Sequence, residues 1–409
     1  MKLVVIGAQW GDEGKGKIVD FLADRAKLVL RYSGGANAGH TVVIEDETYK
    51  FHLLPSGIVN PGKKVILGIG MVIDLETLFE ECSMLTEKGI AWEGRVFLAD
   101  RAHLVLPRYK AMDRQMDKER KKPLGTTGRG IGITYALKAH RQGIRVADLF
   151  DSRVWNELQD EDREFLTPYR EKIKPMMVDV SLLLKENRSA NIIFEGAQGS
   201  LLDLDFGTYP FVSSGISSAA GAVIGGGIGP GQIDKVVGVF KAYSSRVGNG
   251  PFPSGFTPER DGNLEETIRE LGREYGVTTG RPRRCGYLDL VGLRYSCRCN
   301  AIDGLALTHL DVYDEMEEIK ACTAYEVEGK CIEEFPASIE VLKRARPVLK
   351  SFPGWRQSIK KCKKFEDLPP AARDYVRFIE EQTETEVDII SVGYERKETI
   401  VRKDPWTPS

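Results

Sequence analysis

Short runs of consecutive apolar residues punctuate the chain. Leu3-Val4-Val5-Ile6 is the first, and β-rich runs recur at 28–32, 64–67, 96–98, 191–194, 236–242, 304–310 and 387–392. Several are apolar at nearly every position. A strand of that kind is covered on both faces, as in a parallel sheet with helices on either side. Between the runs, residues 75–88, 111–122, 153–187, 264–275 and 371–383 read as helices. The alternation predicts an α/β fold with a large, mostly parallel central sheet flanked by helices. No Pro- or Ser-rich linker interrupts it, and the glycine-dense stretch 215–231 lies between motifs. Residues 1–409 are therefore expected to form one domain, with helical excursions at about 75–122 and 150–190.

Composition narrows the classes. Hydrophobic residues make up 42% of the 409 positions, enough for a large core. The net charge is −2, without the basic excess expected of a protein that binds nucleic acid or a membrane surface. No apolar run is long enough to span a bilayer. The apolar start ends at Gly7 and passes directly into a polar loop, unlike a signal peptide. The seven cysteines show no paired metal-binding spacing; Cys297 and Cys299 are the only close pair and have no His nearby. Reduced thiols in a cytoplasmic protein are the expectation.

The first run leads into Gln9-Trp10-Gly11-Asp12-Glu13-Gly14-Lys15-Gly16-Lys17 and then into a helical pattern. Strand, glycine-rich turn and helix together aim backbone N–H groups at a phosphate, so the fold is expected to be P-loop-like. Gly11, four residues, Gly16 and Lys17 nearly match the P-loop pattern, but Ile18 stands where a Ser or Thr would hold Mg²⁺. Asp12 is a carboxylate among groups that attract anions. It makes sense there if it binds a cation or does proton chemistry.

Further motifs follow at strand ends. Gly34-Gly35-Ala36-Asn37-Ala38-Gly39-His40-Thr41 carries two side chains suited to specific work, Asn37 and His40. Placed at the sheet's ligand edge, His40 would face bound phosphates, which favour the protonated imidazole. Gly125-Thr126-Thr127-Gly128-Arg129-Gly130-Ile131-Gly132 is a second anion-binding candidate, with Arg141 one helix-length downstream. In Phe194-Glu195-Gly196-Ala197-Gln198-Gly199 the neutral amide of Gln198 suits a base edge, and Ser213 follows with a hydroxyl. Arg281, Arg283 and Arg284 crowd four positions, and such forks suit carboxylates and phosphates. Asp311 closes a strand; a carboxylate there accepts the paired N–H donors of guanine, which adenine lacks, and so points to GTP.

Taken in order, these motifs resemble the adenylosuccinate synthetase family from end to end. The resemblance implies a Mg²⁺-dependent ligase, with one metal ion per subunit, that joins IMP and L-aspartate at the expense of GTP in AMP biosynthesis, and a homodimer. It implies that Asp12 is general base and metal ligand, that the backbone of Gly39 is another ligand, and that His40 is the acid, with Lys15 and Gln198 assisting catalysis. IMP would be held by Asp12, Glu13, Gly14, Lys15, Asn37, Ala38, Gly39, His40, Thr127, Gln198, Ser213 and Arg281, and by Arg141 from the partner subunit. The aspartate loop would be Val277, Thr278, Thr279, Gly280, Arg281, Pro282 and Arg283. GTP would meet Gly11 to Lys17 (Asp12, Glu13, Gly14, Lys15 and Gly16 between them), Gly39, His40, Thr41, Arg283, His309, Leu310, Asp311, Ser391, Val392 and Gly393. Three residues depart from the family's habit: His309 where Lys is common, Ser213 where Thr is common, and Pro282 where Arg is frequent.

The implied chemistry phosphorylates O6 of IMP and then displaces phosphate with the amine of aspartate through a 6-phosphoryl-IMP intermediate. The competing class is a GTP-binding switch or regulatory GTPase without ligase activity. It would need neither Asp12 in the loop nor the arginine cluster.

Overall fold

A computed structural model describes residues 1–44, 47–121, 123–276 and 280–408. Its frame is a ten-stranded sheet with Lys2–Gly7 near the middle. On one side lie, in order, Lys235–Lys241, Gly304–Thr308, Val387–Ser391 and the edge strand Thr399–Val401. On the other lie Ile192–Glu195, Leu28–Arg31, Lys64–Leu67, Val96–Ala99 and Met177–Val178. Every pairing is parallel except that of Thr399–Val401. The continuous apolar runs have the expected cause: Leu3, Val4, Val5 and Ile6 are each fully buried, a gain of roughly 1.5–3 kcal/mol per side chain.

The helices Lys15–Ala23, Leu75–Glu87, Pro107–Glu119, Leu264–Gly272 and Pro370–Thr383 fall where the spacing places them, within a few residues. Lys122, at the expected end of one of them, lies outside the described residues. The expected helix over 153–187 is instead three pieces, Ser152–Glu157, Asp160–Ile173 and Val180–Glu186. Asp151 and Asp179 cap the first and last by accepting N–H groups of Arg153 and of Ser181 and Leu182. The excursions are not purely helical either. Val96–Ala99 and Met177–Val178 return from them to the main sheet.

A smaller sheet was not foreseen. Glu318–Val327 pairs with Leu288–Asp289, Lys330–Ile332 and Arg346–Pro353. The last of these strands is at most half-buried along its length, so it lacks the apolar run that marks the central strands. Helices Ile131–Ala139 and Leu290–Asn300 and the hairpin His40–Ile44/Glu47–Phe51 are likewise additions.

Candidate active site

Parallel strands put their C-terminal ends on one edge, and the motifs collect there. The first loop turns at Gly11, Asp12 and Gly14, all at positive φ, and Gly14 at φ 81° opens the helix Lys15–Ala23. Beneath it the Glu13 side chain points inward, fully buried. It accepts the N–H groups of Gln9 (3.2 Å) and Gly11 (2.8 Å) and pairs with Lys15 Nζ at 2.7 Å. A Cβ on Gly7 would lie 2.3 Å from this carboxylate, so the strand must end in glycine. Thr308 Oγ1 donates to the Glu13 carbonyl at 2.6 Å, which ties the loop to a strand two places away. With its side chain so committed, Glu13 can meet a ligand only through its backbone. Lys17 Nζ donates to Ser391 Oγ (2.6 Å) and to the carbonyls of Gly393 (2.7 Å) and Glu398 (3.0 Å). Burial pushes its pKa down to about 8. Both ends of the expected GTP site are thereby joined.

His40 is adjacent, but by a route the motif order did not indicate. Leu28–Arg31 is not beside Lys2–Gly7; Ile192–Glu195 lies between them. Its last residue, Glu195, is buried and lies 3.3 Å from His40 Nδ1 through Oε1. Glu195 also accepts the Ser56 N–H and hydroxyl at 3.0 and 2.9 Å. Burial pushes the Glu195 carboxyl up, opposed by Arg31. Arg31 is itself locked by the carbonyls of Ser33, Gly35, His52 and Leu53. The expected protonation of His40 is reversed among the protein's own groups. Burial, with the charges of Arg31 and Lys15, holds its pKa well below the ordinary value.

Several buried polar atoms have no partner among the described residues: His40 Nε2, both amide atoms of Gln198, Ser213 Oγ and Trp10 Nε1. Each such atom costs about 1–3 kcal/mol unless something completes it. Gln198 is also held at φ 56°, uncommon for a residue with a Cβ. Donors and acceptors left over together are what a polar heterocycle requires. Asn37 Oδ1 accepts the Gly35 N–H at 3.2 Å. Ala38 and Gly39 are half-buried beside it, whereas Thr41 and Thr127 are exposed. Arg141 is exposed too, at φ 63° just past the helix Ile131–Ala139.

Asp12 meets the arginine cluster directly. Its carboxylate pairs with Arg283 Nε at 3.0 Å, and the other side of that guanidinium pairs with Glu274 at 2.9 Å. Gly280, Arg281 and Pro282 lie exposed beyond it; Val277, Thr278 and Thr279 lie outside the described residues. At the expected guanine end, His309 sits at φ 56° and meets Tyr243 edge-on at 5.9 Å between ring centroids. Burial, then the Lys241 charge, lowers its pKa to about 4, so it offers a neutral ring. Asp311, just after Leu310, has its carboxyl pushed up by burial and by Asp314. Gly393, after Val392, meets Ser391 Oγ through its carbonyl at 2.7 Å. Glu195, Glu274 and Lys241 were not singled out from sequence. Glu195 lies inside the motif Phe194–Gly199, and its place as the last residue of an apolar strand is the signal for it.

A parallel α/β sheet with a phosphate-type loop, a buried histidine and an arginine–carboxylate pair on its ligand edge defines a nucleotide-dependent enzyme. The profile of the adenylosuccinate synthetase family matches residues 4–400. The adenylosuccinate synthetase of Prochlorococcus marinus (strain MIT 9211) is 47% identical, covering 98% of this chain and 97% of its own length. That of Desulforamulus reducens is 45% identical, over 98% and 99%. The solved structure of fully ligated adenylosuccinate synthetase from Plasmodium falciparum superimposes with a TM-score of 0.90 at 36% identity, covering 98% of this chain and 99% of that one. A cyanophage succinoaminodeoxyadenylate synthetase, 20% identical over 98% and 95%, shares the fold at a TM-score of 0.65. The chain belongs to the adenylosuccinate synthetase family. It is a GDP-forming ligase that makes a C–N bond between IMP and L-aspartate in AMP biosynthesis. Membership does not favour the GTP-switch alternative.

Proposed function

We propose that this edge binds IMP, GTP and L-aspartate side by side and that Asp12 and His40 carry the chemistry. The observation that carries the reading is the orphaned polar atoms of Gln198 and His40 beside the phosphate-type loop, where a Cβ on Gly11 would lie 3.7 Å from Gln198 Cα and one on Gly16 3.5 Å from His40 Cβ. Asp12 removes the N1 proton of IMP, and the Gln198 amide donates to O6 as charge builds there. O6 then attacks the γ-phosphorus of GTP, the bond to the bridging oxygen breaks and GDP leaves. His40 Nε2 faces the transferring phosphoryl group while Nδ1 rests on Glu195. The phosphate charge offsets the nearby Arg31 and Lys15, so the imidazole takes up a proton as the anion approaches. Asn37, Thr127, Ser213 and Arg281 hold IMP. Arg281 and Arg283 orient the aspartate amine for attack at C6, and His309, Asp311, Ser391 and Gly393 surround the base.

Among the described residues no group of three or more His, Cys, Asp or Glu could hold a metal ion alone. The single part-exposed carboxylate of Asp12 in the loop suits Mg²⁺, which takes one or two carboxylates and completes its shell with phosphate oxygens and water. Asp12, part-exposed in the loop, and the Gly39 backbone would hold one ion per subunit. Bound there, Mg²⁺ would neutralise charge on the β- and γ-phosphates. We further propose one domain over 1–409, a homodimer in which Arg141 crosses to the partner's IMP phosphate, and a cytoplasmic location. No described helix is long and apolar enough to cross a membrane.

The test is ultraviolet detection of adenylosuccinate from purified protein with IMP, GTP, L-aspartate and Mg²⁺, each omitted in turn. Product only in the complete mixture supports the reading. GTP hydrolysis that continues without IMP and aspartate would reject it in favour of a GTPase.

A further inference from the structure

Behind Arg283 lies a buried ionic cluster that none of the assigned roles uses. Glu274 is 1% exposed. Its Oε1 accepts from Lys241 Nζ at 2.5 Å and from the Tyr243 hydroxyl at 2.6 Å. Its Oε2 accepts from Arg283 at 2.9 Å and from Ser245 Oγ at 3.1 Å. One carboxylate thus accepts from four side chains, and Lys241 and Tyr243 are themselves fully buried.

The cluster stands at the base of the expected aspartate loop. The Arg283 N–H donates to the Glu274 carbonyl at 2.9 Å, and the Gly276 N–H to the Arg281 carbonyl at 2.9 Å. The chain therefore leaves and returns at adjacent points. Glu274 fixes the returning end through its side chain as well as its backbone. Charges then alternate in a row: Lys241, Glu274, Arg283, Asp12. Arg283 is shared between two carboxylates, one buried and permanent, the other at 30% exposure in the phosphate-type loop.

We propose that Glu274, backed by Lys241, is a positioning residue that holds the Arg283 guanidinium for the carboxylate of the incoming amino acid. The proposal rests on the aspartate-binding role given to Arg283 above. The physical reason is competition. Without an anchor on its far side, Arg283 would be drawn wholly to Asp12, and the fork would no longer be set for a bidentate carboxylate. With Glu274 in place, Asp12 is free to leave the pair while Arg283 stays where it is.

Glu274→Gln keeps the shape of the side chain and removes its charge. The expected result is a rise in KM for aspartate of about tenfold or more, with KM for IMP and kcat changed by less than about threefold. A residue that only stabilised the fold would move all three parameters or none. A cycle with Arg283→Leu reads the coupling. If Glu274 works through Arg283, adding Glu274→Gln to Arg283→Leu raises KM for aspartate no further. Effects that multiply, or an unchanged KM for aspartate in a folded Glu274→Gln protein, overturn the proposal. Should the single variant fail to fold because Lys241 is left unpaired, Glu274→Gln with Lys241→Met removes that buried cation and carries the same measurement. Arg283→Leu alone separates the two readings: an unchanged KM for aspartate there would sink the role given to Arg283, whereas a raised KM there beside an unchanged one in Glu274→Gln would sink the role of Glu274.

Discussion

Asp12 and His40 have different supports, Arg283 for the first and Glu195 for the second, and their substitutions should differ accordingly. Asp12 is part-exposed and paired with Arg283, so Asp12→Asn should leave the fold intact and lower kcat by about a hundredfold or more. His40 is buried against Glu195, and His40→Asn should cost a similar factor while also loosening the Ser56–Glu195 contacts. Single-turnover formation of 6-phosphoryl-IMP, with melting temperature measured in parallel, checks both; near-normal turnover in either variant rejects its role. At the base, Asp311→Asn should erode the preference for GTP over ITP or XTP by about 1–3 kcal/mol of discrimination, read as kcat/KM ratios. This matters because the cyanophage protein with the same fold is bound to dATP as an energy donor. The fold alone therefore does not choose the base. These residues stood out as candidates in the sequence because each belongs to a motif that follows an apolar run. Glu195, Glu274 and Lys241 did not, because their partners come from distant segments. Glu274 acquires meaning only when Lys241 and Arg283 fold around it.

Elements rather than single residues place the second anion-binding motif. On helix Pro107–Glu119, Asp113 accepts the Gly130 N–H at 2.9 Å. One turn on, Asp117 accepts the N–H groups of Leu124, Gly125 and Thr126 at 2.9, 3.2 and 3.2 Å. The two carboxylates, four residues apart on one helix face, shape the segment that presents Thr127. Asp117→Ala should release three N–H groups to solvent, raise KM for IMP several-fold and leave KM for GTP unchanged; equal changes in both would mean that the helix serves the fold and not this motif. The same helix illustrates what sequence pattern delivers. Its existence was legible from periodicity, although it begins four residues earlier than expected, where Pro107 takes the first helical position and tolerates the missing N–H. The expected long helix over 153–187 failed for the opposite reason. Asp179 is a cap residue inside what reads as one polar-apolar pattern, and it restarts the chain as Val180–Glu186 after the turn Lys174–Met176, which carries Pro175. The smaller sheet escaped because Arg346–Pro353 is half-covered and carries charge along its length.

At the scale of the whole molecule, the exposed Arg141 poses the remaining question, since it bears a charge suited to phosphate yet lies on the surface. If it serves the neighbouring subunit, each site of a dimer is built from two chains, and two different inactive proteins can repair one another. Arg141→Leu leaves a site with its own Asp12 but no guanidinium for the partner's site. Asp12→Asn does the reverse. In a hybrid dimer, one site has the intact Asp12 of the first chain and the intact Arg141 of the second, while the other site lacks both. Random re-association of equal amounts makes half of the dimers hybrids, each with one working site of two. Activity should thus recover to about a quarter of the wild-type value. If Arg141 acts within its own chain, or if the protein works as a monomer, no combination of the two variants holds a complete site and mixing recovers nothing. Dilution gives an independent reading. A site shared across an interface loses specific activity as the dimer dissociates, and excess Arg141-intact, Asp12→Asn protein should restore it, whereas a self-contained site is indifferent to both.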